Sequence, residues 1–283
     1  MPSSFGSRLE AAFTQHGQLC VGIDPHAGLL ADWALADDAT GVEDFALRVI
    51  EAAAGRVGIV KPQVAFFERH GSAGFAALER IAGVARDAGL LVIMDAKRGD
   101  IGSTMDGYFD AWLGKAAPFY SDALTVSPYL GIDSLSTVMG NAAERGKGLF
   151  VLSATSNPEG ERHQLAERSG KTVASDIWQA LAKPNAVAAG PGDKLGSFGA
   201  VLGATIDLKR FGLDLESAEA PLTPILAPGF GAQGARLGEL KILFGAHSTA
   251  VLASVSRSVL EGGPLAVAAL IDAAKAELAS GLE

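Results

Sequence analysis

The stretch LLVIMDAKRGDIGST, residues 90–104, carries the clearest indication of the fold. It opens with an unbroken apolar run, Leu90–Met94, and then turns abruptly to the charged side chains of Asp95, Lys97 and Asp100. Apolar runs that are continuous rather than alternating are typical of parallel strands covered on both faces. In a barrel of such strands, the site is built where the strands end.

Seven further runs of this kind occur along the chain, and segments with helical spacing separate several of them. The eight runs are Leu19–Ile23, Val57–Val60, Leu90–Met94, Ala123–Val126, Leu149–Leu152, Ala200–Leu202, Pro224–Ala227 and Ala250–Ala253. Strand and helix repeated eight times predict a (β/α)8 TIM barrel, with an open doubly wound sheet as the alternative. The sixth run is the weakest, because it is short and flanked by glycine.

The chain has 283 residues, 48% of them hydrophobic, so it can bury a large core. We expect one barrel domain over residues 1–283, with a polar insertion near 158–175 that is either a solvated helix and loop or a mobile flap. The net charge is −9, so the chain lacks the excess of basic residues that is typical of nucleic-acid-binding proteins. Cys20, the single cysteine, permits no intrachain disulfide. Neither a signal peptide nor a membrane span is apparent, so we expect a cytoplasmic protein.

Charged residues follow three of the predicted strands. Asp95 and Lys97 are two positions apart, so strand periodicity points them to the same side, with Ala96 opposite. Lys61 ends the second strand in VKPQ, residues 60–63, and Asp24 ends the first in VGIDP, residues 21–25. Taken singly, each has a simpler explanation: a solvated ion pair, a lysine extended towards solvent or an Asp-Pro turn.

A glycine-rich segment, PGFGAQG at residues 228–234, follows the seventh run. It matches GxGxxG, but it comes late in the chain and lacks an acidic residue about 20 positions on, which argues against a dinucleotide site. Loops after the last two strands of a barrel often bind phosphate. We therefore expect Gly231 and Gly234 to open the backbone to a phosphate group, with Gln233 and Arg257 as donors. The alternative is an ordinary turn and a surface arginine.

Together, these motifs resemble those of a known family. DAKRGD, residues 95–100, is similar to the D-x-K-x-x-D signature of the orotidine 5′-phosphate decarboxylases, and sugar-phosphate relatives share that motif. VGIDP, VKPQ, SNPEG (156–160) and PGFGAQG with SRS (256–258) also resemble family motifs, in order along most of the chain. Their forms are similar to the longer bacterial branch. Ser256 departs from the pattern, since many members have glycine there.

The resemblance implies decarboxylation of orotidine 5′-monophosphate to UMP in pyrimidine biosynthesis, with no cofactor and no metal. It also implies a homodimer whose active sites are shared between subunits. The residues that it assigns are Lys61, Asp95, Lys97 and Asp100 for the charged network, Asp24 for the ribose, Ser156 for the pyrimidine, and Gln233 and Arg257 for the phosphate. Asp100 and Thr104 would come from the neighbouring subunit.

Three other functions are compatible with the sequence. One is a Mg²⁺-dependent sugar-phosphate lyase of the same superfamily, although such relatives have glutamate where Lys61 stands. Another is a Schiff-base aldolase with Lys97 or Lys61 as nucleophile. The third is a nucleotide-binding regulator without catalysis. The five histidines show no metal-ligand spacing.

Overall fold

Parallel strands form a closed barrel in the computed structural model, which describes residues 2–215 and 220–282. The barrel order is β1-β10-β9-β8-β5-β4-β3-β2, and β6 pairs with β7 in a separate antiparallel hairpin. The strands are β1 (Leu19–Ile23), β2 (Ile59–Pro62), β3 (Leu91–Arg98), β4 (Ala123–Val126), β5 (Gly148–Ala154), β6 (Glu167–Arg168), β7 (Lys171–Thr172), β8 (Phe198–Leu202), β9 (Ile225–Pro228) and β10 (Val251–Val255). The predicted (β/α)8 barrel is confirmed, and the open sheet is wrong.

All eight predicted runs lie on barrel strands, and their ends are where prediction and structure differ. The second strand begins two residues later than predicted, because the Val57 N–H still donates to the carbonyl of Ala53 (3.0 Å) at the end of the preceding helix. The third extends to Arg98 and therefore includes the charged residues. The sixth run, which appeared weakest, is a five-residue strand that is buried throughout.

Helices surround the barrel and bury their apolar stripes against it. The α-helices are α1 (Phe5–His16), α2 (Ala27–Asp32), α3 (Ala39–Ala53), α4 (Val64–Glu68), α5 (Gly71–Asp87), α6 (Gly102–Trp112), α7 (Ser136–Glu144), α8 (Pro158–Gln164), α9 (Val173–Ala180), α10 (Ala182–Ala188), α11 (Leu240–Phe244), α12 (Arg257–Leu260) and α13 (Val267–Ser280). In α3, the apolar side chains of Val42, Phe45, Ala46, Val49 and Ile50 recur at helical spacing and are all buried.

Apolar side chains fill the barrel interior, and α1 closes its amino-terminal end. The inward-facing residues include Cys20, Ile59, Ile93 and Phe150. The Phe5 ring meets the Phe150 ring edge to face, with centroids 6.0 Å apart. Cys20 is fully buried, and burial raises the pKa of its thiol to about 12, so it behaves as a small hydrophobic residue. This end is therefore packed, and any cleft must lie at the opposite end.

A network of polar side chains holds α1 against the amino-terminal end of the barrel, here called the barrel floor. The Asp122 carboxylate accepts from Arg8 Nη1 (2.5 Å) and from the Tyr120 hydroxyl (3.1 Å). Lys147 Nζ donates to the Ser121 carbonyl (2.6 Å) and lies 4.0 Å from the centroid of the Tyr120 ring. Burial, aided by nearby arginines, lowers the pKa of Lys147 from its ordinary 10.5 to about 8, although Asp122 opposes the shift.

The predicted polar insertion consists of α8, the β6–β7 hairpin and the start of α9. No residue of α8 is buried. Glu161, in α8, accepts two hydrogen bonds from the Arg210 guanidinium, of 2.8 and 2.9 Å. The segment is thus an exposed helix followed by a hairpin, and both its interpretation as a solvated insertion and that as a mobile flap stay predictions. Across residues 2–215 and 220–282, no helix has both the length and the apolar character needed to cross a bilayer.

Candidate active site

A cleft of about 290 Å³ opens where the barrel strands end. This is the end of a barrel at which enzymes of this architecture build their sites. Polar side chains from seven strand ends and loops converge on the cleft, namely Asp24, Lys61, Gln63, Asp95, Lys97, Thr125, Thr155, Ser156, Gln233, Ser254, Ser256 and Arg257. The cleft therefore gathers a dense set of polar and charged groups above an apolar barrel interior.

The Asp95 carboxylate is the centre of the site and accepts four hydrogen bonds. Its Oδ2 atom accepts from Lys61 Nζ (3.0 Å) and Gln63 Nε2 (3.0 Å). Its Oδ1 atom accepts from Lys97 Nζ (2.5 Å) and Thr125 Oγ1 (2.9 Å). Four donors saturate the lone pairs of a carboxylate, so both its ionisation and its orientation are fixed.

Electrostatics hold this array in one ionisation state. Burial alone would raise the pKa of Asp95, but the ammonium groups of Lys61 and Lys97 outweigh it and hold that pKa well below its usual range. Burial alone would likewise lower the pKa of Lys61, but Asp95 and Asp24 reverse the effect and raise it. Lys61 and Asp95 are therefore charged across the physiological range.

A bulge in β3 delivers Asp95 and Lys97 to the cleft. The strand pairs regularly with β4 up to Met94 and again at Arg98, and the register shifts between them. Lys97 has a φ of +49°, in the left-handed region that side chains rarely adopt. Both side chains face the cleft and Ala96 packs in the core, as predicted. The register shift and the left-handed backbone at Lys97, rather than regular strand alternation, direct these two side chains into the cleft.

Two buried polar atoms in the cleft have no hydrogen-bond partner among the described residues. One is Oδ1 of Asp24, at the end of β1, and the other is Oγ of Ser256, before α12. Buried polar atoms are nearly always paired, so such atoms in a cleft indicate groups that await a ligand. Asp24 supplies an acceptor and Ser256 a hydroxyl, which suits a polyhydroxylated ligand.

The glycine-rich loop borders the cleft as predicted, although not through the glycines that were named. Gln233 and Arg257 both line the cleft. Gly231 and Gly234 lie in the loop but outside the lining, with φ values of +72° and +110°. A Cβ atom at Gly231 would stand 2.6 Å from the Ser258 side chain, so glycine is required there for two reasons.

Asp100 and Thr104 lie apart from the other predicted residues. Neither lines the cleft within this chain. An Asp100 carboxylate oxygen accepts from the backbone N–H of Ile101 (2.8 Å), and Thr104 is exposed in the first turn of α6. Ser156, by contrast, lines the cleft beside Thr155.

Sequence reasoning assigned no role to two residues that contact Asp95. Gln63 lies two positions after Lys61, so the strand periodicity that orients Lys61 could have identified it. Thr125 is the one polar residue in the fourth run, ALTV, and is 1% exposed. Its sequence signal is weak, because threonine is common in buried strands.

Comparisons with known proteins agree with this site. The profile of the Orotidine 5′-phosphate decarboxylase / HUMPS family matches residues 17–270. The orotidine 5′-phosphate decarboxylase of Streptomyces coelicolor is 53% identical over 262 residues, or 92% of this chain and 91% of the relative. That of Salinispora arenicola is 50% identical over 98% of this chain and 96% of its own.

Solved structures show the same likeness. A crystal structure from Streptomyces avermitilis, assigned as an orotidine 5′-phosphate decarboxylase, matches with a TM-score of 0.92 and 50% identity, covering 99% of this chain and 97% of that one. The OMP decarboxylase of Leishmania donovani matches with a TM-score of 0.77 and 29% identity over 99% of both chains.

The barrel and its charged cleft, together with these relatives, define an enzyme of the carboxy-lyase class. The chain belongs to the orotidine 5′-phosphate decarboxylase family. The resemblance drawn from the sequence motifs is thus confirmed.

Proposed function

We propose that the protein converts orotidine 5′-monophosphate to UMP and CO2 in pyrimidine biosynthesis, without a cofactor or a metal ion. The observation that carries the proposal is the Asp95 carboxylate held between the ammonium groups of Lys61 (3.0 Å) and Lys97 (2.5 Å) inside the cleft. Loss of CO2 leaves a carbanion on the pyrimidine ring. A fixed cation next to that carbon stabilises the developing charge without reorganising during the reaction.

Lys97 is the group proposed to act on the ring. Its side chain is 44% exposed, whereas that of Lys61 is 8% exposed, so Lys97 is the ammonium available to a ligand. It would stabilise the carbanion and then donate a proton to it. Asp95 would lie near the substrate carboxylate and disfavour the ground state by like-charge proximity, with preorganised charge as the larger contribution. Lys61 and Asp100 would keep Lys97 oriented.

The remaining lining residues fit the other parts of a nucleotide. Asp24 offers an unpartnered carboxylate oxygen to the ribose hydroxyls, and Ser156 would bind the pyrimidine. Gln233 and Arg257 would hold the phosphate, where a guanidinium can bind two oxygens at once. Phosphate is remote from the bond that breaks, so its binding energy can be used to order the site.

The alternative activities fit this geometry less well. A divalent cation on Asp95 would have to displace two ammonium groups that already occupy both carboxylate oxygens. An aldolase needs a neutral amine as its nucleophile, and the raised pKa of Lys61 opposes this. A regulator that only binds nucleotide has no need of a buried array of alternating charges.

We also propose a homodimer in which Asp100 and Thr104 complete the partner's site. Both residues lie outside the cleft of their own chain, in or next to the loop that follows β3. Three large apolar side chains in the loops after β3 and β4 are exposed: Ile101 (60%), Tyr129 (76%) and Leu130 (53%). An exposed apolar group of this kind is typical of a protein interface.

The decisive experiment follows the absorbance of orotidine 5′-monophosphate in the presence of EDTA. We expect the wild type to consume it and Lys97→Ala to show no turnover. Lys194→Ala is the matched control, because its 77%-exposed ammonium pairs with Glu10 on the surface. A well-folded wild type that fails with this substrate, but turns over sugar phosphates when Mg²⁺ is added, would refute the proposal.

Mixing two inactive variants tests the shared site. A dimer of one Lys97→Ala chain and one Asp100→Asn chain has one intact site if Asp100 acts across the interface. Random reassociation of equal amounts should then restore about a quarter of wild-type activity, since half the dimers are mixed and each has one good site. If Asp100 acts within its own chain, mixing restores nothing.

A further inference from the structure

Thr125 stands alone opposite the bulge in β3. Met94 pairs with Leu124 and Arg98 pairs with Val126, so three residues of β3, numbers 95–97, face a single residue of β4. A bulge of this kind interrupts the ladder of backbone hydrogen bonds and leaves its extra residues without partners on the neighbouring strand.

The Thr125 hydroxyl replaces the missing ladder contact. Its Oγ1 atom accepts from the backbone N–H of Lys97 (3.0 Å). The same hydroxyl donates its one hydrogen to Oδ1 of Asp95 (2.9 Å). A threonine hydroxyl has one hydrogen and two lone pairs, so the two bonds are mutually consistent and each fixes the direction of the other.

Lys97 needs such a restraint, because its backbone is strained. A non-glycine residue at φ +49° is disfavoured, and it persists only where the surroundings determine it. Thr125 is 1% exposed and lies in the middle of β4, so its own position is set by the barrel. The strand can therefore hold both the left-handed turn at Lys97 and the carboxylate that Lys97 contacts.

We infer that Thr125 is a positioning residue of the decarboxylation reaction. Its hydroxyl couples the Lys97 backbone to the Asp95 carboxylate and so aims the Lys97 ammonium into the cleft. The inference rests on the proposed function, because it assigns Thr125 to the proton donor of that reaction. Thr125 lines the cleft, but its one hydroxyl hydrogen is already donated to Asp95, so we assign its effect to these two residues.

Thr125→Val is the informative change, since valine keeps the shape and removes both hydrogen bonds. Losing a hydrogen bond to a charged group costs roughly 1.4–2.8 kcal/mol, so we expect kcat to fall about 10- to 100-fold. KM should stay within about 3-fold of wild type, because the proposed ribose and phosphate contacts are untouched. Thr125→Ser retains the hydroxyl and should recover most of kcat.

Thr223→Val is the matched control. Thr223 is also buried (8% exposed), and its hydroxyl also accepts a hydrogen bond, from Asn185 Nδ2 (3.2 Å), but it lies outside the cleft. A general cost of deleting a buried threonine hydroxyl would affect both valine variants alike. We expect only Thr125→Val to lose kcat when both variants are assayed well below their unfolding temperatures.

Hydrogen exchange of the Lys97 amide, measured by NMR, separates this inference from the proposed function. It should speed up about 10-fold or more in Thr125→Val, but not in Thr223→Val, whether or not the enzyme accepts orotidine 5′-monophosphate. Unchanged exchange would overturn the inference. So would a kcat for Thr125→Val within about 3-fold of wild type in an active enzyme, or a Thr125→Ser variant as impaired as the valine variant.

Discussion

Replacing Lys61 with methionine and Asp95 with asparagine, separately and together, would measure how strongly the buried charges at the centre of the cleft depend on each other. Their side chains are 8% and 10% exposed, and Lys61 Nζ lies 3.0 Å from Asp95 Oδ2. Methionine is unbranched like lysine and only one heavy atom shorter, and asparagine matches the shape of aspartate. The substitutions therefore remove charge with little change in packing.

The expected magnitude follows from the distance and the burial. At an effective dielectric constant of about 20, two unit charges 3.0 Å apart attract by roughly 5.5 kcal/mol. Removing one partner of a buried pair leaves the other uncompensated and typically costs about 3–5 kcal/mol. In Lys61→Met, Asp95 keeps its bonds to Lys97, Gln63 and Thr125, so we expect a cost near the lower end.

Denaturant unfolding of the wild type, both single variants and the double variant supplies the four free energies of the cycle. The double variant should be more stable than the sum of the single costs implies, by about 2–3 kcal/mol, because it buries no unpaired charge. The surface pair of Arg80 and Glu43 is the control, since Arg80 is 56% exposed. Its coupling should be below about 1 kcal/mol.

Two results would refute this reasoning. One is a cost below about 1 kcal/mol for either single variant, which would mean that the cleft is effectively solvated. The other is a coupling energy no larger than that of the surface pair. Activity is a separate matter, since both residues belong to the proposed catalytic array.

Other predictions concern the barrel floor and the glycine-rich loop. The folded-state pKa of Lys147 is lowered to about 8, so the unfolded chain binds more protons than the folded one between about pH 8 and 10. The free energy of unfolding of the wild type should therefore rise with pH over that range, relative to that of Lys147→Met. Parallel plots of unfolding free energy against pH for the two proteins would contradict this. Gly231→Ala should destabilise the protein and weaken nucleotide binding, since its Cβ would stand 2.6 Å from the Ser258 side chain. Gly140→Ala, at a helix position with open space around it, should instead stabilise the protein by roughly 0.5–1 kcal/mol. Equal effects of the two substitutions would contradict this reasoning. Phe5→Ala should cost about 3–5 kcal/mol in urea unfolding, and a loss under about 1 kcal/mol would show that α1 does not seal the barrel.

Much of the charged array was predictable because strand periodicity is local. Lys61 and Asp95 follow apolar runs, and the positions of those runs place them at the same end of the barrel. Gln63 obeys the same rule and could have been found. The role of Thr125 could not be predicted, because its contact with Asp95 spans 30 positions and depends on a register shift that no sequence pattern indicates.

The class of fold and the chemistry available to the cleft could be predicted from the sequence, because residue types and the periods of strands and helices are local properties of the chain. How those groups meet depends on contacts between distant segments. Closing the barrel brings Lys61 to Asp95 and leaves Asp100 outside the cleft of its own chain. The bulge in β3 depends on pairing with β4, and it sets the left-handed backbone of Lys97. Contacts between distant segments depend on register and closure, and these are properties of the packed barrel as a whole.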